Sequence, residues 1–201
     1  MKIGIIKERK NPPDRRVVLT PENLQEIQSN FAEATFKVEK SDIRIYSDQQ
    51  YTDLGFEISD NMEDCDVLLG VKEVPIENLI ENKKYFFFSH TIKKQPYNQK
   101  LLRAILDKNI TLYDHETIVD EQSRRLIGFG RYAGIVGAYN GIRAFGIKFE
   151  LFSLPKAETL TCKNQLVEKL KRLTLPPLKI VLTGTGKVGN GAKEILDAIL
   201  L

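Results

Sequence analysis

The 201-residue sequence predicts an α/β fold: a doubly wound domain with a largely parallel sheet, followed by the first βα unit of a second such domain. Three observations predict it. Short strand-like runs alternate with helix-like runs through the first 130 residues, the pattern of an α/β domain. The strand-like runs recur at the spacing of βα units, which favours parallel pairing. Near the C-terminal end, Gly184, Gly186 and Gly189 stand between an apolar run and an amphipathic run, the order of a phosphate-binding turn.

The elements follow in order. KIGIIK (2 to 7) is the first strand, and NPPDRR after it is a turn, because two prolines withdraw backbone donors. Thr20 caps a helix that Pro21 opens, with Leu24 and Ile27 on one face. TFKVEK and DIRIYS alternate as strands, and DCDVLLGVK (64 to 72) reads as a buried strand. KKYFFFSH (83 to 90) is another strand, followed by a helix over about Gln95 to Asp107 with Leu101, Leu102 and Ile105 on one face. ITLYD (110 to 114) closes this series. The stretch from Gly128 carries six glycines among Ala and Ile. Glycine disfavours an isolated helix, so the reading is a crossover helix packed closely against another backbone, in preference to a second phosphate loop. A loop, a short amphipathic helix and a Pro-Pro break lead to a last strand, Ile180 to Leu182. The expected organisation is residues 1–130 as a substrate domain, 131–175 as connecting helices, and 176–201 as the start of a dinucleotide-binding domain.

Composition bounds the partners. The chain is 42% hydrophobic and 28% charged, a globular balance. Its formal net charge of +3 is spread among interspersed residues of both signs, which argues against a nucleic-acid or anionic-membrane surface. No apolar run approaches the roughly 20 residues that span a bilayer, and the N-terminus lacks a signal-peptide pattern, so the cytoplasm is expected. Cys65 and Cys162 lie far apart without metal spacing, so free thiols and no metal site are expected.

Ionisable residues collect where strands end, the usual location of sites in open α/β folds. Lys72 leaves a buried strand beside Glu73, which would hold its ammonium form while burial opposes it. His90 ends YFFFSH, placed to exchange a proton near neutral pH. Arg15 and Arg16 precede a helix start, where an arginine fork suits a carboxylate. Asp114 and Glu116 bracket His115 after ITLYD, and strand alternation would send both to one side. Arg124 and Arg125 read as a charged turn. Each residue alone is ordinary; four strand ends each delivering an ionisable group are not. Gly184 would make the tight turn, Gly186 would admit a pyrophosphate and Gly189 would let the helix pack closely, with the helix N-terminus facing the anion.

The stretches DRRVVLTP, GVKEVP, FFFSH, TLYDHE, RRLIGFGRYAG and the final glycine turn, in this order, resemble the superfamily of alanine dehydrogenase, the transhydrogenase NAD-binding subunit and lysine-forming saccharopine dehydrogenase. LYDHE with RRLIGFGRYAGIVGA is more similar to saccharopine dehydrogenase. The resemblance implies a Rossmann-like substrate domain interrupted by a central NAD-binding Rossmann domain, and thus a chain that ends inside the second domain of a longer enzyme. It implies acid–base roles for Lys72 and His90, a carboxylate contact for Arg16, tuning of the lysine by Glu73 and Glu116, and a substrate contact for Arg125. The implied cofactor is NAD, with NADP left open because the ribose-reading acid would lie beyond Leu201. The implied substrates are small amino acids and oxo acids. Alanine oxidation to pyruvate, or a non-catalytic binding module, are the competing functions, and apolar surface near the C-terminal end makes a homo-oligomer one of the open expectations.

Overall fold

The computed structural model describes residues 1–200 and divides into two compact units, Met1–Gly128 and a second beginning at Phe129. The first unit holds six strands: β1 (Lys2–Ile5), β2 (Thr35–Glu39), β3 (Glu57–Ser59), β4 (Val67–Lys72), β5 (Lys84–Phe88) and β6 (Thr111–Asp114). All five pairings are parallel, in the order β3-β2-β1-β4-β5-β6. Its helices are α1 (Pro21–Asn30), α2 (Asp48–Thr52) and α3 (Gln99–Asp107).

A parallel sheet must be covered on both faces, and the pleat of each strand supplies both. Ile5 and Leu69 join one apolar cluster with Leu24 of α1 and Tyr51 of α2. Their neighbours Ile6 and Leu68 join the opposite cluster with Leu101 and Ile105 of α3. Thr20 caps α1 as its sequence requires, accepting the Asn23 N–H at 3.2 Å, with Pro21 at the first turn.

Two elements of the first unit differ from expectation. DIRIYS is a series of bends. Its alternating pattern wraps a buried arginine: Arg44 donates to the carbonyls of Glu39 at 2.8 Å and Tyr46 at 2.9 Å, while Ser41 Oγ accepts the Ile43 and Arg44 N–H groups. The third strand is instead the three-residue Glu57–Ser59, too short to show a period.

The second unit contains α4 (Gly130–Lys148), α5 (Lys163–Lys171) and α6 (Lys187–Leu200) around a core of Ile135, Tyr139, Ile142, Leu154, Leu166, Leu170 and Ile195. Close backbone approach explains Gly134 of α4 and Gly191 of α6, whereas Gly137 and Gly141 of α4 face open space. A Cβ on Gly134 would lie 2.0 Å from the Val188 carbonyl oxygen, and one on Gly191 2.0 Å from that of Arg131. The run 180–182, expected as a strand, has no sheet partner among the described residues, and Val181 is 77% exposed. A strand needs a neighbour to take its N–H and C=O groups, so apolar alternation alone does not form one. Cys65 is buried, Cys162 is exposed and both are free. Among the described residues no helix is long and apolar enough to cross a membrane.

Candidate active site

In the order β3-β2-β1-β4-β5-β6 the winding reverses between β1 and β4. The crevice beyond the carboxyl ends of strands flanking such a point is where open α/β sheets bind ligands. Three of the carboxyl ends near it deliver ionisable groups to one contact chain: β4 ends in Lys72, β5 is followed by Ser89 and His90, and β6 by His115 and Glu116.

The Lys72 ammonium lies 3.0 Å from Nε2 of His90. The other ring nitrogen, Nδ1, is 3.1 Å from Oε2 of Glu116. Lys93 Nζ also lies 3.3 Å from Nδ1, but the closer partners, Lys72 at Nε2 and the Glu116 carboxylate at Nδ1, favour the tautomer in which Nδ1–H donates to Glu116 and Nε2 accepts from Lys72. Glu116 is the hub of the cationic side, with Lys93 Nζ at 3.4 Å and Arg125 at 3.3 Å from its Oε1. Burial pushes the Glu116 carboxyl up, but hydrogen bonds from His90 and Lys93 and the Arg125 charge outweigh it and hold its pKa below the ordinary value. Arg125 also stands over the Phe88 ring, 5.9 Å from its centroid, a cation–π distance. His90 itself adopts a left-handed backbone, φ 58°, rare for a residue with a side chain. Two buried groups hold it there: Asn98 Nδ2 donates to its carbonyl at 3.1 Å, and Ser89 is locked to the Asp114 carboxylate.

Arg16 and Glu73 flank this chain. Arg16 Nε donates to Asp14 at 2.9 Å; that hydrogen bond holds the Asp14 carboxyl below its usual range, and the Lys72 charge acts in the same direction. Glu73 Oε1 pairs with Lys10 at 2.7 Å, while its Oε2 is buried with no hydrogen-bond partner among the described residues. Burial raises the Glu73 carboxyl, and Lys10, its own backbone N–H and Lys72 bring it below the ordinary value. The structure therefore brings Lys72, His90, Glu116 and Arg125 into one line of contacts, with Arg16 and Glu73 acting on it through Asp14 and through charge.

Alternation failed at Asp114 and Glu116. The strand ends at Asp114 and the chain turns, so the two side chains part: Asp114 is buried and accepts the Ser89 hydroxyl and, at 2.8 Å, the Glu116 N–H. Arg124 pairs with Asp120 at 2.7 Å across an exposed turn, as a charged turn would. Sequence reasoning missed Glu8, Asp14, Lys93 and Asn98. The first two lie in the loop that leaves β1, where no period marks which side chain turns inward.

In the second unit, Gly184 has φ +89°, the left-handed region that favours glycine, and a Cβ on Gly189 would sit 2.2 Å from the Gly184 carbonyl oxygen. Nothing lies within 4 Å of a Cβ on Gly186. The turn is closed by Gly184 and Gly189 and open above Gly186 at the start of α6, a shape that fits a pyrophosphate.

Comparison with known proteins places these residues in a family. The model of the alanine dehydrogenase/PNT N-terminal domain matches residues 4–136. The alpha-aminoadipic semialdehyde synthase of Arabidopsis thaliana is 33% identical over 98% of this chain and 21% of its own length. The mitochondrial enzyme of that name from Mus musculus is 30% identical over 98% of this chain and 23% of its own. The NAD(+), L-lysine-forming saccharopine dehydrogenase of Yarrowia lipolytica is 26% identical over 94% and 55%. The chain thus spans about a fifth of the synthases it matches and about half of the dehydrogenase. A solved L-alanine dehydrogenase shares the fold, with a TM-score of 0.61 at 18% identity over 99% of this chain and 53% of its own. Residues 4–136 carry the whole contact chain from Lys72 to Arg125, and through them this protein belongs to the alanine dehydrogenase/PNT family.

Proposed function

We propose that this chain carries the substrate site of a nicotinamide-dependent amino-acid dehydrogenase of the saccharopine type, which splits saccharopine into lysine and 2-oxoglutarate. The observation that carries the reading is the line Lys72–His90–Glu116–Arg125 at the carboxyl edge of the sheet. Oxidising a secondary amine to an imine removes a hydride and a proton; water then adds and a second proton transfer releases the amine. Bound NAD would accept the hydride, held by the open turn at Gly184 and Gly186, by Gly189 and by the first N–H groups of α6; NADP is the alternative. Lys72 and His90, 3.0 Å apart, pass protons between amine, water and each other, as two titratable groups in different surroundings can. Glu116 orients the imidazole through Nδ1. Glu73 places a carboxylate charge beside Lys72. Arg16 and Arg125 hold the carboxylates of a substrate with more than one, which alanine lacks.

The test is turnover of the whole protein. NAD-dependent oxidation of saccharopine is expected, with Lys72→Met and His90→Gln each lowering kcat by about 100-fold or more, the scale of lost acid–base catalysis. Activity with pyruvate plus ammonium in preference to lysine plus 2-oxoglutarate would assign an alanine-type substrate instead. Wild-type turnover in both variants would overturn the roles of Lys72 and His90, and no turnover of the whole protein with either substrate pair would leave a binding module. The cytoplasm is proposed as the compartment, resting on the two free thiols; cell fractionation tests it against a mitochondrial location like that in the name of the mouse relative.

A further inference from the structure

We propose that Glu8 and His115 are positioning residues that grip the peptide preceding Lys72 from both ends and so aim its ammonium at His90, an inference that rests on the dehydrogenase reading above. The pairing of β4 with β1 stops at Leu69, and its register against β5 shifts between Leu69 and Lys72. In a regular strand successive N–H groups point to opposite sides. Here those of Val71 and Lys72 both reach one carboxylate: Val71 N–H to Glu8 Oε1 at 2.7 Å and Lys72 N–H to Oε2 at 2.9 Å. The strand end is thus bulged, a device that re-aims a side chain next to a site, and a buried side chain replaces the missing ladder partner. Glu8 is 6% exposed.

The other end of the same peptide is held as firmly. The Gly70 carbonyl, which shares its peptide plane with the Val71 N–H, accepts His115 Nε2–H at 3.0 Å. Burial holds His115 below the usual histidine pKa, so the ring is neutral and carries a single N–H, committed to Gly70; it leaves Nδ1 buried without a hydrogen-bond partner among the described residues. Its ring is wedged 5.2 Å from Phe88, next to the residue that precedes His90 by one. The Gly70–Val71 peptide is thereby fixed between the loop leaving β1 and the loop leaving β6, and Glu8 holds the Lys72 N–H from which the lysine side chain departs.

The experiment has two arms. In the first, hydrogen–deuterium exchange of the chain in Glu8→Gln, which replaces one accepting oxygen by an NH2 group, is expected to accelerate at Val71 and Lys72 and to stay unchanged in the β1 and β5 amides away from the bulge. In the second, kcat of the whole protein is expected to fall by about 10- to 100-fold in Glu8→Gln, the scale of a displaced catalytic group, with KM moved far less. His115→Gln, which keeps an N–H for Gly70, is expected to retain activity that His115→Leu loses; a packing role alone would treat the two alike. Unchanged exchange at Val71 and Lys72 overturns the clamp, and so does wild-type kcat in Glu8→Gln where Lys72→Met is inactive. Should Lys72→Met itself turn over normally, the dehydrogenase reading falls while the exchange arm still decides whether the clamp exists. If Glu8→Gln does not fold, the His115 pair carries both arms.

Discussion

Gly134→Ala and Gly137→Ala are the same chemical change on one helix, three residues apart, and they are expected to act in opposite directions. A Cβ on Gly134 would stand 2.0 Å from the Val188 carbonyl oxygen and 2.7 Å from the Ala192 nitrogen. A carbon–oxygen contact sits at about 3.3 Å or more, so roughly 1.3 Å of separation must be found. The obstacle is backbone of α6 and cannot swing aside, so α4 and α6 must part and loosen Ile135, Tyr139 and Ile195 between them. Overpacking costs about 1–3 kcal/mol; the upper end applies because backbone meets backbone, and the gain in helix propensity returns about 1 kcal/mol. The net loss is about 2 kcal/mol, or about 1 M in the urea midpoint for a slope of about 2 kcal/mol/M. At Gly137 nothing lies within 4 Å of a Cβ, and alanine there is expected to stabilise by about 0.5–1 kcal/mol. Urea titration followed by the helical circular-dichroism signal reads both. Equal midpoints for the two variants, or a Gly134→Ala midpoint at or above wild type, would refute the argument that Gly134 is there to admit α6.

Two further expectations follow from ion pairing and burial. Arg131 and Lys163 bond Glu194 at 2.8 and 2.6 Å and draw its carboxyl from the ordinary 4.5 down to about 2. A depressed carboxyl stabilises above its unfolded pKa and loses that contribution as pH falls through the folded one. Glu194→Gln is therefore expected to destabilise the second unit at pH 7, with the difference from wild type shrinking between about pH 4.5 and 2; a difference that grew on acidification would contradict it. Tyr51 is fully buried, and its hydroxyl donates to the Leu19 carbonyl at 2.8 Å. Tyr51→Phe keeps the packing and strands that carbonyl, at about 1 kcal/mol, so melting should fall by about 2–4 °C; an unchanged midpoint would mean that water replaces the hydroxyl.

Much of the site was legible because its residues sit at strand ends, and strand ends are marked by short-range signals. Lys72 closes an unbroken apolar run and His90 follows an aromatic one, so each was found from its own neighbours. Glu116 was singled out by its place after ITLYD, while Arg125, which reads as part of a charged turn, took a substrate role only from the family resemblance. Glu8 was invisible for a different reason: it looks like one charge in a charged loop, and only the arrest of β1 pairing at Leu69 turns it inward to meet Val71 and Lys72. Asp114 and Glu116 were paired wrongly because alternation was extended two residues past the end of the strand.

What the sequence determined by itself was whatever a few adjacent residues decide: the caps, the apolar faces, the order of strands and helices along the chain, and the glycines that permit a tight turn and close helix contact. Tertiary structure decided everything that needs a distant partner. It ordered the strands β3-β2-β1-β4-β5-β6, folded DIRIYS around Arg44, left the run 180–182 without a ladder, and pointed Asp114 inward and Glu116 toward His90. A helix turn is closed by hydrogen bonds four residues apart, whereas a strand or a catalytic contact is completed by groups tens of residues away, and no local pattern records which of those groups will arrive.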